Sequence, residues 1–131
     1  MNKPTLVKMV NTPQDRCINN VVQLELRGQN YIIFDKVGVQ HPDMLKSFLD
    51  ENEVSYEMCE PLKGISGQVP APVGHEYHLR GTGEVRAHHK YQLMIFEGLD
   101  FHYNLPINTA QLRLLEKDLP DWNIQTRRSK E

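Results

Sequence analysis

The chain has 131 residues, of which 39 % are hydrophobic and 24 % charged, with a formal net charge of −2. That length suits a single domain, 1–131, able to bury a sizeable core, and the near-neutral charge leaves no electrostatic footprint for nucleic acid or an anionic membrane. Only two cysteines occur, Cys17 and Cys59, in no CxxC or comparable ligand pair, so they read as reduced thiols rather than as the staples of a secreted domain.

The first residues break early at Pro4 and Pro13 and hold no apolar stretch of signal-peptide length. No apolar run is long enough to span a bilayer, so a cytoplasmic protein without a membrane partner is expected. Thr5 to Val10 is a short β-prone run, and polar Asn11 to Asn20 reads as a loop. Val21 to Leu26 alternates, with Val22, Leu24 and Leu26 on one side and Gln23 and Glu25 on the other, the pattern of a half-buried strand. After turn residues at Gly28-Gln29-Asn30, the apolar run Tyr31-Ile32-Ile33-Phe34 suggests a central strand covered on both faces.

Pro42 sits where a first helical turn tolerates its missing N–H, and Asp43 suits the helix dipole. Met44, Leu45, Phe48 and Leu49 form one apolar stripe. The helix should end near Asn52, and Val54, Tyr56 and Met58 alternate in a following strand. Residues 60–74 are rich in glycine and proline and lack periodicity, which predicts a flexible loop. They hold no GK[ST] phosphate-loop ending. Further on, Asn108 reads as an N-cap with Gln111 in capping-box position, and Leu112, Leu115 and Leu119 form a core stripe. Pro120 stops that helix, Trp122 and Ile124 alternate in a last strand, and residues 126–131 make a short basic tail. The expected fold is α+β: a mainly antiparallel sheet built from hairpins, with two helices packed on one face.

Between these units, Gly74 to Asn104 holds five of the six histidines. Face consistency predicts two hairpins there, each with a three-residue loop closed by a glycine bulge: Gly81-Thr82-Gly83 and Phe96-Glu97-Gly98. The first would pair Arg80 with Glu84, His78 with Arg86 and Glu76 with His88. The second would bring Lys90, Gln92, Met94, Asp100 and His102 onto the same polar face, with Tyr91, Leu93 and Ile95 on the core side.

That face is the candidate site. Histidines titrate near neutral pH, a carboxylate can hold one in the required tautomer, and arginine can bind an oxyanion. Glu76, His88 and His102 are the candidate catalytic acids and bases, and His78, Arg80, Arg86 and Asp100 the candidate binding groups. The competing interpretation is an ordinary solvated sheet face, which carries the same residue types. Asp100 and His102, two apart, could also form a local pair. His75 and His89 should face each other on the core side, two ligands where a structural zinc takes four, so no metal and no cofactor are expected.

No motif names a reaction. Small size, near-neutral charge and a long Gly/Pro loop beside an open sheet point to a regulatory or inhibitor-type module that binds a protein partner. A metal-independent acid–base hydrolase or nuclease on the His/Glu/Arg face is the alternative. The outer face has too few aromatics to favour single-stranded RNA, and a homodimer is compatible with the pattern.

Overall fold

The computed structural model describes residues 4–60 and 67–127. The alternating stretch becomes β2 (Ile18–Leu26), which turns through Arg27-Gly28 into β3 (Gln29–Lys36). Both turn residues have positive φ, 48° and 83°, a tight hairpin turn whose twist matches the strands and in which glycine costs nothing. The early β-prone run is β1 (Val7–Val10), parallel to β3. Helix α1 (His41–Glu51) buries Met44, Leu45, Phe48 and Leu49, as the stripe requires.

Within the expected loop 60–74, Val69–Pro72 forms β5 and pairs with β4 (Tyr56–Cys59); residues 61–66 lie outside the described residues. Then come β6 (Tyr77–His88), β7 (Leu93–Glu97), β8 (Leu99–Asp100), β9 (Leu105–Pro106), α2 (Thr109–Asp118) and β10 (Asn123–Arg127). Of the expected basic tail, Thr126 and Arg127 belong to β10, and 128–131 lie outside the described residues.

Six strands form one sheet in the order β1-β3-β2-β6-β7-β10. The inner pairings are antiparallel, and the two edge pairings, β1 with β3 and β10 with β7, are parallel. The fold is α+β with a mostly antiparallel, partly mixed sheet, accompanied by the small β4–β5 and β8–β9 hairpins.

The helices do not share a face. Leu112 and Leu115 of α2 pack with Val21, Ile32, Phe34, Val85 and Phe96. The stripe of α1 packs with Val22, Leu24, Ile33 and Tyr77. Neighbours such as Val21 and Val22, or Ile32 and Ile33, point to opposite sides of a strand, so one helix covers each side. The reason lies in β3: four consecutive apolar residues cannot be shielded by a layer on one side only.

The capping box at α2 is half formed. The Asn108 side chain accepts from Gln111 N–H at 2.8 Å. The return bond is replaced, because Asn108 N–H donates to Gln23 Oε1 at 2.7 Å while the Gln111 amide donates to Tyr31 O at 2.9 Å. At the far end of α2, the Asp118 carboxylate accepts from Leu6 and Val7 N–H at 2.8–3.1 Å and pins the start of β1.

The two expected hairpins are corrected by the register. Gly81-Thr82-Gly83 is not a turn: β6 runs straight through it, antiparallel to β2. These glycines answer to crowding. A Cβ on Gly81 would meet Gln23 Oε1, Asn108 N at 2.7 Å and Pro106 O at 2.8 Å, and one on Gly83 would meet Glu97 O at 2.6 Å. The reversal falls instead at residues 89–92, a short 3₁₀ turn closed by Gln92 at φ 48°, so that Ala87 pairs with Met94 and Val85 with Phe96. Met94, expected outside, is therefore in the core, and Tyr91, expected inside, is exposed. Beyond β7 the chain does not fold back on it; β8 pairs with β9.

Candidate functional site

A register shift at Gln23/Leu24 of β2, opposite Arg80, decides where the candidate residues go. Before it, Tyr77 and Leu79 pack on the α1 side; after it, Val85 and Ala87 pack on the α2 side. One extra residue in β6 has turned the strand over. The polar face therefore splits: His78 lies opposite Glu25 on the α2 side, whereas Glu84 and Arg86 alternate with Val85 on the α1 side. Of the candidate acids and bases, Glu76 immediately precedes β6 and His88 is its last residue, so these two are not brought together.

The charged members find other partners. Glu76 pairs with Arg27, Nε to Oε1 2.7 Å, and Arg80 pairs with Glu25 at 3.1 Å, not with Glu84. Arg86 stands opposite Ile18 and Ile95, and His88 opposite Leu93. His75 and His89 do not face each other: the His75 ring centroid is 6.2 Å from that of His78, while His89 bonds Pro13 O through Nε2 at 2.8 Å. Among the described residues, no three His, Cys, Asp or Glu side chains are placed to hold a metal ion.

Asp100 and His102 are brought together, with a third residue the sequence did not single out. Asp100 is the last residue of β8 and only 9 % exposed. Its backbone N–H donates to Thr82 Oγ1 at 2.9 Å, and that hydroxyl donates to Leu105 O at 2.5 Å, which ties the β8–β9 hairpin onto the middle of β6. The Asp100 carboxylate meets His102 Nδ1 at 3.1 and 3.2 Å and accepts from His102 N–H at 3.0 Å. From the other side, Nδ1 of His41 approaches Asp100 Oδ1 at 3.2 Å. His41 begins α1, is 8 % exposed, and bonds Gly83 O through Nε2 at 2.8 Å.

The proton positions follow from these partners. A carbonyl oxygen only accepts, so His41 Nε2 carries hydrogen; a neutral ring would then aim its Nδ1 lone pair at a carboxylate. The geometry suits an imidazolium bonded at both nitrogens. Burial pushes the His41 ring down, but the Asp100 carboxylate and the Gly83 carbonyl outweigh it and hold the ring above the usual histidine range. Burial pushes Asp100 up, and bonds from His41 and His102 outweigh that, holding its carboxyl below the usual range.

Beside this cluster opens a cavity of about 310 Å³, between Leu45 of α1, the β4–β5 hairpin and the 101–104 turn, with Tyr77, His102 and Tyr103 in its wall. The hydroxyls of Tyr77 and Tyr103 are buried and have no hydrogen-bond partner among the described residues. Burial pushes the Tyr77 phenol up to about 12 and that of Tyr103 higher still, so both remain donors at neutral pH. A larger groove of about 700 Å³ runs between α2 and β10 and contains none of the sequence-predicted site residues.

Neither the protein-family models nor the curated proteins with which the sequence was compared match it. The site's own geometry therefore carries the functional reading. The Asp100-x-His102 spacing was the sequence signal for half of the cluster. His41, Thr82, Tyr77 and Tyr103 gave none, because what unites them is the docking of a hairpin on a strand 18 residues or more away in sequence.

Proposed function

We propose that the chain is a small regulatory module that works by holding a protein partner against the apolar rim of this cavity. One observation carries the reading: Met58 (40 % exposed), Val73 (56 %) and Phe101 (75 %) are solvent-facing apolar residues, and each adjoins in sequence a residue that lines the cavity. Isolated exposed apolar residues mean little, but several around one concavity form the pattern of an interaction site. Residues 47–60 beside it hold five acids (Asp50, Glu51, Glu53, Glu57 and Glu60) and no lysine or arginine. The partner is accordingly a segment with an apolar anchor flanked by basic residues.

Site-specific photocrosslinking tests this. A benzophenone side chain at position 101 should capture a protein through a Lys/Arg-flanked apolar peptide, with capture falling as salt rises. The same group at Tyr91, exposed in the turn after β6, should not. Equal capture at both positions, or a crosslinked peptide without basic residues, would overturn the reading.

A second reading, acid–base hydrolysis, is favoured by one observation, the Asp100–His102 pair. A buried carboxylate on Nδ1 fixes the tautomer and leaves Nε2 as the base. Arg80 is engaged by Glu25, and this reading takes a neutral ester as its substrate. Hydrolysis of p-nitrophenyl acetate that drops at least roughly a hundredfold in His102→Ala would support it; turnover equal to that of free imidazole would remove it.

A further inference from the structure

The two edges of the six-stranded sheet are not alike. At β1 the Asp118 carboxylate already takes the N–H groups of Leu6 and Val7, and Lys8 adds a charge, both means of blunting an edge. β10 has no such cover: among the described residues it is bordered by β7 alone, and Asn123, Gln125, Thr126 and Arg127 are exposed. Asn123 N–H donates to Gln92 O at 2.8 Å, which fixes the phase of the ladder. Alternate residues of a parallel strand bond the same neighbour, so Asn123, Gln125 and Arg127 direct their backbone groups to β7. Ile124 and Thr126 direct theirs away from the sheet, where among the described residues no strand meets them. Backbone N–H and C=O groups set out in that way are a template for another strand.

We propose that β10 pairs with β10 of a second copy, antiparallel about a two-fold axis through Gln125, so that two six-stranded sheets become one. Parity sets the register. Outward-directed residues must meet outward-directed residues, and using the whole strand sets Ile124 of one copy opposite Thr126 of the other, as hydrogen-bonded pairs. Gln125 then lies opposite Gln125, and Asn123 opposite Arg127, so no like charges are opposed. Charge favours a second copy as the occupant. Asp121 precedes β10, whereas its far end carries Arg127 and the sequence runs on to Arg128, Lys130 and Glu131. Antiparallel pairing sets the basic end of each copy against the acidic end of the other. On the α2 side, Ile124 and Thr126 line the groove of about 700 Å³, and the same residues of the second copy carry that wall onward. One short strand on each side makes a small interface, of the weak and reversible class. The proposal rests on neither reading of the cavity.

Sedimentation velocity of the full chain from about 10 μM to about 1 mM, the range expected of a small interface, tests it. The mass should rise with concentration from 15.2 kDa towards twice that value and no further, and the rise should shrink as salt increases. Thr126→Pro removes an outward N–H and leaves the ladder to β7 whole, so it should stay monomeric with a urea stability near the parent's. A second arm does not need that variant to fold. In a Cys17→Ser, Cys59→Ser background, Gln125→Cys should oxidise to a covalent dimer, because a non-hydrogen-bonded pair holds its Cα atoms about 4.5 Å apart. Asn123→Cys should not, since its two copies stand roughly four residues out of step, about 13 Å, beyond the reach of a disulfide. A parent that is monomeric throughout, a dimer that persists in folded Thr126→Pro, or crosslinking as efficient at 123 as at 125 would overturn the proposal.

Discussion

Removing the Asp100 carboxylate should cost more than any surface charge in this protein, and the cost should depend on pH in a defined direction. The side chains of His41 and Asp100 are each only 10 % exposed. Asp100→Ala strands an imidazolium whose remaining bond is to Gly83 O. Breaking a buried pair by deleting one partner costs about 3–5 kcal/mol, which for a chain of this size is a fall in Tm of roughly 10–20 °C. The folded His41 pKa lies above its ordinary 6.5, so its contribution is complete below that value and is lost as pH rises through the folded pKa. The folded Asp100 pKa lies below 3.8, so its contribution is present above that value and is lost as pH falls through the folded pKa. The deficit of Asp100→Ala should therefore be largest between those limits and shrink on the alkaline side. Urea unfolding of both proteins from about pH 4 to about pH 9 measures this. A deficit below about 1 kcal/mol near pH 6, or parallel curves for the two proteins, would show that the pair is not buried and charged as described.

Gly81→Ala and Gly83→Ala should each cost roughly 2–3 kcal/mol, because the new methyl meets backbone atoms at 2.6–2.8 Å that cannot yield. Gly38→Ala, with open space around it, should stay within about 0.5 kcal/mol in the same urea titration; equal effects at all three would restore a turn at 81–83. Asn108→Ala should cost about 1–2 kcal/mol by leaving Gln111 N–H without its cap. Loss of amide exchange protection should begin in the first turn of α2, and protection unchanged there would refute the cap.

The regular elements were legible because their signals are local. β2 announces itself by alternation, α1 by its stripe, and the start of α2 by Asn108. The candidate face was not legible because two local events reverse the alternation on which it rests. One is the extra residue opposite Gln23/Leu24, and the other is the turn at 89–92 with its left-handed Gln92. Each inverts every side chain beyond it, and neither has a distinctive residue. Gly81-Thr82-Gly83 was the misleading sign, since glycine is used both to turn a chain and to admit one packed against it. The atoms that crowd these glycines come from residues 23, 97 and 106–108, and strand-by-strand reading does not reach that far.

What survives of the polar face is its smallest member pair, and the structure gives a reason for its position. Asp100 is held at its backbone by Thr82 and at its carboxylate by His41, so it cannot turn freely. His102 takes its ring orientation from that fixed carboxylate and also stands in the cavity wall. The buried half of the cluster thus aims the half that lines the cavity, much as groups behind a ligating histidine fix its tautomer. It follows that His41, which does not line the cavity, should nonetheless affect the order of its wall. Proton loss from His41 removes one of the bonds that hold the Asp100 carboxylate, leaving it to the His102 N–H and ring alone, so the ring is held less firmly. A change at the first residue of α1 should therefore be felt, through Asp100, as altered order of the 101–104 turn.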